Sequence, residues 1–244
     1  MRHIFLALLA VVGLAPSARA EVIQLIANGG FETNDFTGWN AAKQNGSDGS
    51  LLVVPNNGGD SPLSEFSYAL NPGGGNFFAI TDQIGPGSYS LTQSFTIPAQ
   101  TYNVTVSFQL FANDWLDVVA SPASNRDYTT PVLNQNAEVD ILTGTAGAFT
   151  SNPSDIVSTL YGPGADNLAG NPNPWTSYTD NLGALAPGTY QIRFAETDNQ
   201  GSFNLGVDNV SVQASVPEPV SISLFGVGML AIAMIRGRHL LPPA

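Results

Sequence analysis

The stretch Asn103-Val104-Thr105-Val106-Ser107-Phe108-Gln109-Leu110 decides the fold class. In an extended chain Val104, Val106, Phe108 and Leu110 fall on one side, and Thr105, Ser107 and Gln109 on the other. That period of two marks a half-buried strand. Working outward, β-rich runs of similar length recur at 22–26, 51–54, 77–81, 88–97, 138–143, 156–161, 178–182, 189–195 and 205–213, separated by Gly, Pro, Asn and Asp. No stretch between Glu21 and Ser215 keeps a helical period. Ten strands with turn signals between them predict one all-β domain over 21–215, a two-sheet β-sandwich of jelly-roll type. Long polar loops are expected at 44–49, 56–75, 113–134 and 163–174, the places where function concentrates. The acidic run Glu196-Thr197-Asp198-Asn199-Gln200-Gly201 lacks the ligand spacing of a helix-loop-helix calcium loop and reads as a hairpin turn.

The two ends are of a different character. Met1-Arg2-His3, an apolar run from Ile4 to Leu14, and Ala18-Arg19-Ala20 form the n-region, h-region and small-residue cleavage site of a secretory signal peptide, residues 1–20, with cleavage before Glu21. At the other end Val216-Pro217-Glu218-Pro219 precedes a charge-free apolar run, 220–235, and then Arg236, Arg238 and His239. Sixteen helical residues reach roughly 24 Å, a short transmembrane helix with its arginines on the cytoplasmic side.

Val216, Pro217, Glu218 and Pro219, the apolar run, and Arg236 and Arg238 together resemble the PEP-CTERM sorting tail of Gram-negative bacteria, over 29 of 244 residues. Here the arginines are split by Gly237 and followed by five further residues. The resemblance implies two partners: the secretory translocon, and exosortase, a membrane transpeptidase-like protease acting near Pro-Glu-Pro. It also implies a route from the inner membrane to the cell surface or extracellular matrix, in an exopolysaccharide or biofilm setting.

Between these ends charge and composition exclude whole classes of function. Lys43, Arg126 and Arg193 stand against eighteen acids over 21–215, a net of −15. Almost nothing basic is present to neutralise phosphates, so nucleic acid is excluded as a partner. There is no cysteine, and the two histidines, His3 and His239, lie in the terminal segments. Ser-His-Asp and Cys-His catalysis and the usual His-ligated metal sites are therefore ruled out for the central domain. Glycoside hydrolysis survives on residue types, because two carboxylates about 5–9.5 Å apart suffice. Glu138 with Asp140, or Asp114 with Asp117, are the candidate pairs, against the simpler reading of exposed polar positions in an acidic protein.

Asn28-Gly29-Gly30-Phe31-Glu32 with Gly38-Trp39 opens the domain, and Gly206-Val207-Asp208-Asn209-Val210-Ser211-Val212 closes it. This pairing resembles the galactose-binding-like jelly roll shared by carbohydrate-binding modules and bacterial surface proteins. It implies a structural Ca2+ at Glu32 and Asp208, with Asn28 as a further ligand, and it implies that Trp39 belongs to the core. Carboxylates and loop carbonyls are the oxygen donors that calcium takes. Trp115, Trp175 and Tyr178 sit at loop ends beside amides, where an aromatic face can either stack on a sugar or plug the end of the sandwich. Three readings compete: a non-enzymatic structural or adhesive envelope protein, a polysaccharide-binding module, and a glycosidase using paired carboxylates.

Overall fold

Alternation places residues 103–110 of β6 (Tyr102–Asp114): Val104, Val106, Phe108 and Leu110 are all buried, as their spacing predicts. The structure is a computed structural model that describes residues 22–98, 102–116, 125–162 and 171–215. Among the described residues the chain is all-β, with two antiparallel sheets facing one another. One sheet runs in the order β3 (Ser50–Pro55), β4 (Phe77–Asp82), β11 (Phe203–Ser215), β6 and β9 (Thr176–Leu185), with β1 (Val22–Gln24) also paired to β11. The other runs β2 (Asn40–Lys43), β5 (Gly87–Ile97), β10 (Gly188–Asp198), β7 (Gln135–Thr143) and β8 (Ile156–Tyr161). The segment Val22–Ser215 forms one compact unit.

The first and last strands pair, Val22 opposite Ser215 and Gln24 opposite Gln213. Further along the same strand, Gly206 and Val207 pair with Ile80 and Ala79 of β4. The ladder of β11 with β6 slips between Asp208 and Ser211, where Asn209 takes a left-handed φ of 50°. A bulge of this kind leaves a residue unpaired and bends the strand.

Aromatic rings join the sheets. Phe194 of β10 meets Phe108 of β6 edge-on at 5.3 Å and Trp39 at 6.1 Å, and Trp39 in turn lies 5.4 Å from Phe31. Phe108 stacks on Tyr178 at 5.2 Å, and Tyr178 meets Tyr161 of the opposite sheet at 5.3 Å. A second, smaller core of Val54, Tyr68, Phe78, Ile80 and Phe111 packs with Leu52 and Trp175. Its members on β3, β4 and β6 occupy the alternate positions, so it lies on the outer face of the first sheet, under the segment that carries Tyr68.

Several boundaries differ from those read in the sequence. β2, Asn-Ala-Ala-Lys, carries no β-branched or aromatic residue and holds an edge position, so nothing in its composition signals a strand. β6 runs on through Asn113 and Asp114, and β10 through Glu196, Thr197 and Asp198, so the turn is confined to 199–202. Acidic side chains conceal both extensions, because they read as loop. The signal peptide with Ala18, Ala20 and Glu21, the sorting tail with its 220–235 run, and Asp117 lie outside the described residues. Among those described, no helix is long and apolar enough to cross a membrane.

Removing the ring that meets both sheets should cost about 3–5 kcal/mol, the usual range for a buried Phe→Ala. Urea unfolding of Phe194→Ala checks it. Val157→Ala on the exposed side of β8 should stay within about 0.5 kcal/mol of the parent.

Candidate functional site

Gly29 explains why the two ends of the domain meet. A Cβ there would lie 1.9 Å from the Val210 carbonyl oxygen, and the Gly29 carbonyl accepts the Val210 N–H at 2.8 Å. Only glycine permits this approach, which sets Glu32 and Asp208 on either side of Gly30. Glu32 accepts the Asn76 N–H at 2.8 Å, the Asn76 amide at 3.0 Å and the Phe77 N–H at 3.1 Å. Burial raises its pKa, but the Phe77 and Asn76 donors outweigh burial and hold it below the usual value. Asp208 is fully buried and accepts the Asn209 N–H at 2.7 Å and the Asn71 amide at 3.0 Å. Burial, with a smaller push from Glu32, carries it up to about 6. The pair fits the anionic part of a hard-cation site: oxygen donors, one of them buried, with no basic partner. Asn28 does not join them. Its amide donates to the Asp35 and Thr37 carbonyls, and its oxygen accepts the Thr33 N–H, so it ties down the turn. Among the described residues no three Asp, Glu, His or Cys side chains form a ready metal cluster.

The aromatic candidates are all engaged in packing, to different degrees. Trp175 donates its indole N–H to the Ala69 carbonyl at 2.8 Å and meets Phe78 and Phe111 edge-on at 5.1 and 4.7 Å, as part of the small outer core. Tyr178 closes the edge of the sandwich between Phe108 and Tyr161. Trp115 is half-buried, stacks on half-buried Phe66 at 4.7 Å and 17°, and donates its indole N–H to Asn204 at 2.9 Å. Around this pair one end of the sandwich exposes Leu63, Ile84, Leu116, Val132 and Leu133. Backbone bonds link part of this end: Trp115 donates its N–H to the Ser202 carbonyl and Ser202 its N–H to the Ile84 carbonyl, while the Asn199 side-chain amide donates to the Val132 carbonyl. Phe66 was not among the residues singled out in the sequence, because its partner lies about fifty positions away.

Glu138 and Asp140 lie on the outer face of the second sheet, but they are buried there. Arg193, fully buried on β10, sits opposite Asp140 in the ladder and binds it through Nε at 3.1 Å and through Nη2. Arg126, itself buried, pairs with Glu138 and donates to Asn136 at 2.7 Å. Arg193 also donates to the Thr150 carbonyl at 2.7 Å and the Ala148 carbonyl at 3.3 Å, pinning that loop over the sheet. Arg193 Nη2 binds Asp140 and also lies 3.7 Å from Glu138, so the two carboxylates share one guanidinium. Their environments drive them apart: burial and then neighbouring Glu138 push Asp140 up to about 6, against Arg193. Burial also raises Glu138, but Arg126 outweighs it and holds its pKa below normal. Both carboxylates are thus buried and occupied by arginines, Glu138 by Arg126 and Asp140 by Arg193. Asp114, of the other pair, is fully buried and accepts the Gln135 amide at 2.8 Å and the Leu116 N–H at 3.0 Å.

No family model and no curated protein matches the sequence. Solved structures do resemble the fold. A family 61 carbohydrate-binding module in complex with β-1,4-galactotriose is 15% identical, with 78% of this chain and 97% of that one covered and a TM-score of 0.43. The K1 cleaved adhesin domain of Lys-gingipain from Porphyromonas gingivalis W83 is 13% identical, with 82% and 99% covered and a TM-score of 0.43. A Stig cyclase, Fisc, from Fischerella sp. TAU is 15% identical, with 80% and 98% covered and a TM-score of 0.42. The neighbours thus include binding modules, an adhesin domain and an enzyme. At these identities the likeness concerns the β-sandwich and goes no further.

The folded-state pKa of Asp140, about 6, lies above the 3.8 of a free aspartate, so between those values the folded chain holds a proton that the unfolded chain has released. The stabilisation is complete below the lower value and lost as the pH rises through the upper one. Thermal melts should therefore give a higher Tm at about pH 5 than at about pH 7.5. Glu138, with its pKa depressed below 4.5, contributes no slope in that window. Asp198 and Asp208 share the sign of Asp140, so Asp140→Asn should make the slope shallower without abolishing it.

Proposed function

We propose that the chain is an exported, non-enzymatic polysaccharide-binding protein whose contact surface is the aromatic, apolar end of the sandwich around Trp115. The observation that carries this reading is the half-exposed Phe66–Trp115 stack, set among exposed Leu63, Ile84 and Leu116. Exposed apolar side chains gathered around an aromatic pair mark a binding surface. A sugar ring offers apolar C–H faces to such a surface, and the exposed side chains of Glu65 and Gln200 can meet its hydroxyls. Against catalysis stand the absence of cysteine and of histidine within 21–215 and the buried, ion-paired state of Glu138 and Asp140.

Export and delivery to the cell surface or matrix rest on the signal peptide and the Val216-Pro217-Glu218-Pro219 tail. In this reading exosortase and the secretory translocon are the partners during transit, and exopolysaccharide is the partner afterwards. A Ca2+ shared by Glu32 and Asp208 would tie the opening loop to the last strand and supply rigidity, with no part in chemistry.

Trp115→Ala should weaken binding to a matrix polysaccharide by tenfold or more, about 1.4 kcal/mol, with a modest fall in Tm from the lost stack on Phe66 and the unpaired Asn204 oxygen. Trp175→Ala should lower the Tm clearly, because it opens the small outer core. Affinity electrophoresis across a polysaccharide panel, paired with thermal melts, separates the two. Equal binding by the parent and by Trp115→Ala would sink the assignment. For the metal, EDTA should lower the Tm, and Asp208→Asn should lower it and reduce the remaining response to chelator. A melting curve indifferent to EDTA removes the calcium.

A further inference from the structure

The sign of the charge around the Trp115 end selects among polysaccharides. At three places the apolar side chains of this end come with a carboxylate. The turn over 60–66, which brings Leu63 and Phe66, also brings exposed Asp60 and Glu65. Exposed Asp48 accepts the Ile84 N–H at 3.1 Å and the Gly85 N–H at 2.7 Å, which sets its carboxylate beside Ile84. Asp127 lies on the loop that carries Val132 and Leu133, and Asn199 ties that loop down through the Thr130 and Val132 carbonyls. The Gly85 and Ile84 N–H groups hold Asp48 below the usual carboxylate range, and the Thr129 hydroxyl and N–H do the same for Asp127. Both therefore stay ionised in mild acid.

Little positive charge offsets them. Of the three bases within 21–215, Arg126 and Arg193 are buried and bound to Glu138 and Asp140. Exposed Lys43 folds back, with its ammonium 2.7 Å from the Gly49 carbonyl and 3.4 Å from the Ser47 carbonyl. Its charge is the smallest of the causes that lower Asp48. An anionic chain arriving at this end thus finds like charge and no free base to receive it.

The turn that offers Glu65 is fixed. Buried Asp82 accepts the Leu63 N–H at 2.7 Å and the Ser64 N–H at 3.1 Å. Ser61 donates its N–H to the Phe66 carbonyl at 2.9 Å, and Glu65 donates its own to the Ser61 carbonyl at 3.0 Å. Glu65 is held there at a left-handed φ of 59°. The carboxylate next in sequence to the aromatic pair is therefore carried on a tied turn, so a partner loses little entropy in ordering it.

We propose that the polysaccharide taken by this surface carries free amino groups: its sugar rings lie on the Phe66–Trp115 pair, and its ammonium groups face Glu65 and the neighbouring carboxylates. The inference rests on the reading of that end as the polysaccharide surface. An ammonium group gains from the face of a tryptophan as well as from a carboxylate. Like-charge juxtaposition works against uronate and sulfated chains. N-acetylation removes the cation and leaves the sugar faces in place, so it separates charge from stacking.

Titration calorimetry of the detergent-solubilised full chain tests it with three probes of equal length: a glucosamine oligomer, its N-acetylated form and a galacturonate oligomer. Mildly acidic buffer keeps the amines protonated and the carboxylates ionised. The amino form should bind about tenfold more tightly than the acetylated form, by a margin that shrinks with added salt, and the uronate should not bind. Glu65→Gln should narrow the margin roughly threefold, the scale of one exposed ion pair, without lowering the Tm. Trp115→Ala should weaken binding of the amino form. Amino-form binding that Trp115→Ala leaves unchanged is general attraction between an acidic protein and a basic chain, and it overturns the proposal. A margin that Glu65→Gln does not narrow overturns it too. An acetylated or uronate probe that binds as tightly as the amino form, and is weakened by Trp115→Ala, overturns it but leaves the polysaccharide reading standing. If no member of the polysaccharide panel binds, that reading falls and this inference with it.

Discussion

Phe194 is the contact on which the rest of the structure depends. Its ring meets Phe108 from the opposite sheet and Trp39 from the opening segment, and through them reaches Phe31 and Tyr178. A protein without cysteine has only burial and hydrogen bonding to hold two sheets together. Rings of this size remove large apolar areas from water, and edge-to-face pairs add to that. Because the rings fix the spacing of the sheets here, the interior beyond Phe194 is free to be polar, and the candidate surface can sit on loops around that end.

The charged residues divide accordingly into two populations. On the outer face of the second sheet Arg126 and Arg193 neutralise Glu138 and Asp140, and Arg193 holds the loop through Ala148 and Thr150. These are two of only three basic side chains in the central domain, and both are spent on structure. Between the sheets Glu196 and Asp198 are held by the neutral donors of Thr81, Gln83 and Gly201. The strongly negative composition of the domain is thus more than a solvated surface: part of it is carboxyl groups buried in the interior.

Much of the fold was legible from residues 103–110 outward, because alternation in β6, β5 and β10 records which side chains face the other sheet. The meeting of the domain's two ends was foreshadowed only by the resemblance carried by residues 28–32 and 206–212, and the slip between Asp208 and Ser211 is a feature of the structure. Short-range pattern fails where burial and polarity part company. Arg193 lies on the outward side of β10 and counted in the sequence only as charge, with nothing in its surroundings to mark it as buried. Glu196 and Asp198 were hidden too, because acids near Asn199, Gln200 and Gly201 look like a turn. Glu138 and Asp140 were correctly placed on one strand face, but the bases that bind them come from positions 126 and 193, a relation that no local window contains. Phe66 escaped for the same reason.

The register of β11 adds a spatial argument. Val22 and Ser215 are partners at one end of that strand, so the segments preceding and following the domain join it side by side. Phe203 begins the strand twelve residues earlier, at the end that carries Ser202, Trp115 and Ile84. At 3.3–3.4 Å per residue the two ends are separated by about 40 Å. Within the described domain the paired first and last strands thus lie at one end of β11 and the aromatic, apolar surface at the other. Strand pairing fixes the first end on rigid β-structure, so the loops around Trp115 can vary without disturbing it.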